Sequence, residues 1–133
     1  MTPAKQDDAA QPADTGFDRD VARPRLRIIF AAGRKVGPGK ADLLEAIGRT
    51  GSISAAGREM GMSYRRAWLL VDEVNRIFKE PVVVATAGGT HGGGANLTDF
   101  GRALVAAYRR IEDRTRTAIR EELGPFENNL AER

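Results

Sequence analysis

The sequence contains no cysteine and a single histidine, His91. The lack of cysteine excludes a disulfide scaffold, a thiolate zinc site and a cysteine nucleophile, and one histidine excludes a multi-histidine metal site within one chain. No apolar run approaches the about 20 residues that a membrane-spanning helix needs. We therefore expect a protein without a metal or other cofactor and without a membrane partner.

The sequence also has no large excess of positively or negatively charged residues. The 21 basic residues exceed the 18 acidic residues by only three. This net charge alone does not indicate nucleic-acid binding, and the positions of the charges are more informative. The first residues lack the basic-then-apolar pattern of a secretory signal, which predicts a cytoplasmic location. A chain of 133 residues suffices for one domain with a small core.

The two ends of the chain have little apolar surface to bury. Residues 1–23 are rich in Ala, Asp, Gln and Pro, a composition typical of a disordered tail. Residues 125–133 are predicted to form a second tail after a helix stop at Gly124-Pro125. The ordered domain is therefore predicted to span residues 24–124.

Residues 51–78 have the pattern of two helices joined by a tight turn. Ser52 or Ser54 can cap the first helix, Gly61 interrupts it, and Ser63 is placed to cap the second helix. The apolar residues of the second helix recur at helical spacing and are Ala67, Leu70, Val71, Val74, Ile77 and Phe78. This is the pattern of a helix-turn-helix, whose second helix lies in the DNA major groove.

A hairpin and a further helix are predicted ahead of this motif. Residues 25–36 have the pattern of a strand, a turn at Ala32-Gly33 and a short return strand. Residues 40–50 have one apolar face and end at Gly51, as expected of a helix that packs across the two helices of the motif.

A glycine-rich hairpin is predicted after the motif. A β-branched strand begins at Val82, and a second short strand ends at Thr98. Five of the seven residues from 88 to 94 are glycine, and residues 87–96 form the predicted wing. No lysine follows the glycines, and the next helix begins too late for a nucleotide-binding loop. The predicted fold class is α+β, mainly α with a small β hairpin. The order of the predicted helices and strands is that of a winged helix.

The longest helical pattern covers residues 98–123. Its apolar residues recur every three or four positions along the segment. In so small a domain, the C-terminal half of this helix has no obvious core left to cover. A partner helix from a second chain is the favoured explanation and predicts a homodimer. The alternative is that the helix folds back on its own domain.

Two segments of the sequence resemble a known family. TGSISAAGREMGMSYRRAWLLVDEVN and AGGTHGGGANLTDFG resemble the N-terminal DNA-binding domain of ModE-type molybdate-responsive transcription regulators, and more loosely the LysR-type winged helix. The resemblance covers residues 25–120 and implies a dimeric winged helix-turn-helix that binds a palindromic operator on double-stranded DNA. The chain ends before the molybdate-binding domains of full ModE regulators, so molybdate binding is not expected of it.

The resemblance assigns residues 63–78 as the recognition helix, residues 88–94 as the wing and residues 98–123 as the dimerisation helix. Arg65 is the leading candidate for reading a base, because arginine can bond guanine through two parallel N–H groups. Arg66 is turned by about 100° around the helix and is expected to reach a phosphate instead. The predicted DNA-binding residues are Ser63, Tyr64, Arg65, Arg66, Leu69, Arg58, Gly89, Thr90, His91 and Gly92.

Each assignment has a plainer alternative. Arg65 and Arg66 could be solvated surface arginines, Tyr64 an ordinary half-buried tyrosine, and His91 merely exposed. Trp68 is expected to pack beneath the preceding helix rather than to touch DNA. The alternative function is a winged-helix protein–protein interaction module without specific DNA binding. An enzyme is not expected, because the carboxylates show no spacing typical of a catalytic or metal site.

Overall fold

The computed structural model describes residues 22–86 and 94–132. Residues 1–21 of the predicted tail and residues 87–93 of the predicted wing lie outside the described residues. The elements in chain order are β1 (Ile28–Ile29), β2 (Lys35–Val36), α1 (Pro38–Thr50), α2 (Ile53–Glu59), α3 (Tyr64–Asn75), β3 (Val83–Thr86), β4 (Gly94–Leu97) and α4 (Asp99–Glu127). The predicted α+β class, with three helices, a hairpin and a long terminal helix, is confirmed.

The helix starts follow the predicted caps. Ser52, not Ser54, caps α2, since its Oγ accepts a hydrogen bond from the Ala55 N–H at 3.0 Å. The Ser63 Oγ accepts from the Arg66 N–H at 3.1 Å and caps α3. Gly61 adopts a φ of 71° between them, a left-handed conformation that glycine reaches without steric cost. The tight turn between α2 and α3 is therefore built by local chemistry.

The core is centred on α1. Leu43, Leu44 and Ile47 are fully buried and contact the buried face of α3. That face consists of Ala67, Val71 and Val74, with Leu70, Ile77 and Phe78 partly buried beside it. Because α3 is anchored by this face, its opposite side is held toward solvent.

The two hairpins are antiparallel and short. In the first, Ile28 pairs with Val36, and a 3₁₀ turn at Ala31–Gly33 joins the strands. In the second, β3 and β4 pair over four residues from Val83↔Leu97 to Thr86↔Gly94. Both hairpins were predicted, although the first pairs over only two residues of the expected strand.

The helix α3 ends at Asn75, whereas the apolar pattern predicts residue 78. The side chain of Asn75 explains the early end. Its Oδ1 accepts from the N–H groups of Val82 at 2.8 Å and Val83 at 3.0 Å, and its Nδ2 donates to the Val83 carbonyl at 3.0 Å. The chain must turn back at once to make these bonds, and they fix the start of the second hairpin against α3.

The helix α4 continues through Gly124-Pro125 to Glu127, so the predicted stop at these two residues is wrong. A proline removes one backbone hydrogen bond, and its ring crowds the residue before it. Here that residue is glycine, which has no Cβ to clash. The predicted tail therefore begins with three helical residues.

Replacing Gly101 with alanine is expected to destabilise the protein by about 1–3 kcal/mol or more, because of overpacking. A Cβ at Gly101 would lie 2.3 Å from the Val82 carbonyl oxygen, and that oxygen is held by the Thr98 N–H at 3.0 Å. Gly39→Ala is the matched control, since Gly39 is also helical and its Cβ would meet nothing within 4 Å. Urea unfolding measures both variants, and equal stability of the two would contradict the close approach of α4 to the hairpin.

Candidate nucleic-acid interface

The first turn of α3 presents a row of exposed side chains. Tyr64 is 57% exposed and Leu69 is 48% exposed, while Ala67 between them is fully buried. Arg65 and Arg66 are also exposed. The buried face of α3 therefore leaves four of its predicted DNA contacts, Tyr64, Arg65, Arg66 and Leu69, turned outward. The fifth, Ser63, is exposed and caps the helix.

The guanidinium groups of Arg65 and Arg66 have no salt-bridge partner among residues 22–86 and 94–132. Arg76, at the other end of the same helix, pairs with the Asp72 carboxylate at 3.0 Å. The uncompensated positive charge is thus concentrated at the N-terminal end of α3. This end also carries the positive pole of the helix dipole, which favours an anion.

An open groove of about 730 Å³ adjoins this turn. It lies between the starts of α2 and α3 on one side and the base of the second hairpin on the other. Its lining consists of Ser52, Ile53, Ser54, Arg58, Tyr64, Trp68, Ala85, Thr86, Gly94 and Ala95. Arg58, predicted to bind DNA from the supporting helix, is exposed at this groove, where its guanidinium donates to the Ser54 Oγ at 3.0 Å.

Trp68 lies in this groove rather than in the core. It is 45% exposed, so the expectation that it packs beneath the preceding helix is wrong. Its indole N–H donates a hydrogen bond to the Tyr64 hydroxyl one turn earlier. The periodic pattern placed Trp68 on the border of the apolar face, and only the position of the hairpin shows which side it occupies.

The hairpin is fixed at the groove by backbone contact. The Ala95 N–H donates to the Gly51 carbonyl at 3.0 Å. A Cβ at Gly94 would lie 2.7 Å from that carbonyl oxygen, so only glycine permits this approach. The predicted wing contacts Gly89, Thr90, His91 and Gly92 lie outside the described residues, but the strands that carry them start from this anchored base.

A partly buried ionic cluster around Arg109 ties α4 to α1. Its guanidinium contacts the carboxylates of Asp42 at 2.6 Å, Glu45 at 2.9 Å and Glu112 at 2.9 Å. Burial by itself lowers the pKa of Arg109, but its hydrogen bonds to the three carboxylates outweigh burial and hold the pKa above its ordinary value. The cluster joins α4 to α1, and sequence spacing gave no signal for it.

Tyr108 makes a second connection beside this cluster. It is buried, and its hydroxyl donates to the Leu26 carbonyl at 2.6 Å. Burial, followed by the negative charge of Glu112, raises the pKa of Tyr108 to about 12. The hydroxyl therefore stays protonated at neutral pH and remains a donor that ties the segment before β1 to α4.

One side of the second half of α4 carries four apolar residues and one threonine, of which Thr115 and Ile119 are partly buried. We call this set the α4 stripe: Ile111, Thr115, Ile119, Leu123 and Phe126. Ile111 is 42% exposed, Leu123 is 44% exposed and Phe126 is 66% exposed. The last buried residue of α4 is Glu112. Among residues 22–86 and 94–132, no segment buries Ile111, Leu123 or Phe126.

Within the described ranges, no helix combines the length and the apolar character needed to cross a bilayer.

The chain is similar to curated proteins with the names Mop and ModE. No protein-family model matches the chain. It is 46% identical over 103 residues to "Molybdenum-pterin-binding protein MopB" of Rhodobacter capsulatus, covering 77% of this chain and 37% of that protein. It is 48% identical over 77 residues to "Molybdenum transport protein ModE" of Azotobacter vinelandii, covering 58% of this chain and 28% of that protein.

A further relative is named for its function. The "DNA-binding transcriptional dual regulator ModE" of Escherichia coli K12 is 38% identical over 71 residues, covering 53% of this chain and 27% of that protein. The chain spans between 27% and 38% of the length of the curated relatives it matches. These relatives are ModE and Mop proteins, and at that level they support the resemblance seen in the sequence.

Proposed function

We propose that this chain is a sequence-specific DNA-binding transcriptional regulator of the ModE family. In this proposal α3 enters the major groove through its first turn, and the glycine-rich wing, residues 87–96, follows the neighbouring DNA backbone. The relatives named as transcriptional regulators support the proposal at family level. The observation that carries it is the exposed, uncompensated pair Arg65 and Arg66 at the start of a capped helix, beside an open groove.

The charge distribution along α3 supports this orientation. Arg65 and Arg66 occupy the first turn, while Asp72 and Glu73 lie two turns later. Carboxylates repel phosphates, so only the N-terminal end of the helix suits a DNA backbone. The buried face of α3 prevents the helix from rotating to present a different side.

We infer a homodimer from the α4 stripe. Two copies of α4 that pack along the stripe would bury the same surface in both subunits, as a two-fold interface requires. Two subunits related in this way would place their α3 helices on two half-sites about 34–36 Å apart. The operator is then expected to be palindromic.

A response to molybdate is suggested only by the resemblance to ModE-type regulators. The proposed DNA surface is built from α2, α3 and the second hairpin. We therefore expect duplex binding by this chain to be unchanged when molybdate is added, and titrations with and without molybdate test this expectation.

Replacing Arg65 with alanine is expected to relax sequence discrimination at one base pair in each half-site. A bidentate arginine–guanine contact contributes about 1–3 kcal/mol of discrimination against a wrong base. Competition between the operator and duplexes with single base changes measures this loss directly. Arg76→Ala is the matched control, because it removes the same charge from the same helix at an end paired with Asp72.

Two outcomes would count against the proposal. Full discrimination by the Arg65→Ala variant would show that Arg65 does not read a base. No shift of random-sequence duplex by the unsubstituted protein at low salt would favour a protein–protein interaction module.

A further inference from the structure

The Tyr64 and Trp68 side chains form a pair on one side of the groove. Their rings meet edge to face, with centroids 6.5 Å apart and an interplanar angle of 77°. The Trp68 indole N–H donates to the Tyr64 hydroxyl oxygen. The two residues are one helical turn apart on α3, so the rigid helix backbone keeps the pair in register.

The direction of this hydrogen bond determines which further hydrogen bonds the Tyr64 hydroxyl can make. An indole N–H is only a donor, so the tyrosine oxygen must be the acceptor. The O–H of Tyr64 then remains free to donate. Tyr64 is 57% exposed at the groove, and a ligand that accepts hydrogen bonds suits this position.

The charge of the groove indicates which kind of hydrogen-bond acceptor would bind there as a ligand. Arg58 supplies a guanidinium that uses one N–H for the Ser54 hydroxyl and keeps further donors. No carboxylate is among the described residues that line the groove. The groove therefore offers donors and a positive charge, which complements an anion with several acceptor oxygens.

We propose that this groove holds a phosphodiester group of the DNA strand that passes between α3 and the base of the second hairpin. The Tyr64 hydroxyl and the Arg58 guanidinium donate to its non-bridging oxygens, and Trp68 is the positioning residue for Tyr64. This inference rests on the proposed function and goes beyond it, because it assigns Tyr64 and Arg58 to one phosphate group. It also gives Trp68 a role that requires no contact with DNA.

Tyr64→Phe removes the hydroxyl and keeps the ring. Binding is expected to weaken roughly tenfold per subunit, and so roughly a hundredfold for the dimer, as for the loss of one hydrogen bond to a charged group in each half-site. The factor should be equal for operator and random-sequence duplex, because a phosphate contact carries no sequence information. The slope of log affinity against log salt should not change, since a neutral hydroxyl displaces no counterion.

Trp68→Phe tests the positioning role through a double-mutant cycle. It should weaken binding in the parent protein and have no further effect in the Tyr64→Phe background, because it acts only through the hydroxyl. Circular dichroism and thermal unfolding of the variants check that each is folded. Trp68 is the only tryptophan of the chain, so its fluorescence in the parent protein should change as duplex saturates the groove.

Several results would overturn the inference and leave the proposed function intact. Unchanged affinity of the Tyr64→Phe variant would remove the phosphate contact. Altered preference for one base pair would show that Tyr64 reads a base. Equal losses from Trp68→Phe in both backgrounds would show that Trp68 does not act through Tyr64. Failure of the parent protein to bind any duplex would instead refute the proposed function itself.

Discussion

A variant with glutamate at Ile119 and Leu123 is expected to be monomeric and to bind the operator roughly 10²–10⁴-fold more weakly. Both residues belong to the α4 stripe, whose members the described chain leaves partly or fully exposed. Charge at the centre of an apolar interface must be desolvated without a partner, which opposes association. Each α3 would then bind its half-site alone, without the gain from a second linked site.

Sedimentation velocity measures the assembly, and titration of labelled operator measures the affinity. The matched control combines Arg114→Gln with Thr117→Glu, which changes the net charge equally at exposed positions away from the stripe. This control should remain dimeric and lose little affinity. A parent protein that is monomeric at concentrations where it binds the operator would contradict the dimer.

Raising the concentration of monovalent salt from 50 to 200 mM is expected to weaken operator binding roughly 150-fold. Each phosphate neutralised by a cationic side chain contributes about −0.9 to the slope of log affinity against log salt. Arg58 and Arg66 are the proposed phosphate contacts of each subunit, so a dimer neutralises four phosphates. The slope is then about −3.6, which gives this loss over a fourfold change in salt.

Arg66→Ala should make the slope less steep by about 1.8, because both subunits lose one phosphate contact. Arg76→Ala should leave it unchanged, since Arg76 is paired with Asp72 at the far end of the helix. Fluorescence anisotropy at several salt concentrations gives the slopes. A slope near zero for the parent protein would exclude backbone contacts as the source of affinity.

Local chemistry made much of the fold predictable. The caps Ser52 and Ser63 and the glycine at residue 61 act on neighbouring backbone groups, so their roles can be inferred from short segments. The buried face of α3 follows from helical spacing, and this face determines that Arg65 and Arg66 point outward. The predicted positions of these site residues therefore rested on local rules.

The features that were missed depend on residues distant in sequence. Arg109 contacts carboxylates 64 and 67 positions away, and Asn75 ends α3 by binding the hairpin that follows. Trp68 does not pack beneath the preceding helix as expected, because the hairpin forms the other side of the groove in which it lies. None of these partners can be inferred from periodicity, since each requires the packed arrangement.

The most direct test of the central claim is selection of bound DNA from a pool of random duplexes by the parent protein. The central claim is that the first turn of α3 and the adjoining groove lie on double-stranded DNA. We expect enrichment of one palindromic sequence with half-sites one helical turn apart, and loss of one enriched base pair per half-site with the Arg65→Ala variant. Recovery of a pool with no enriched sequence would contradict the account.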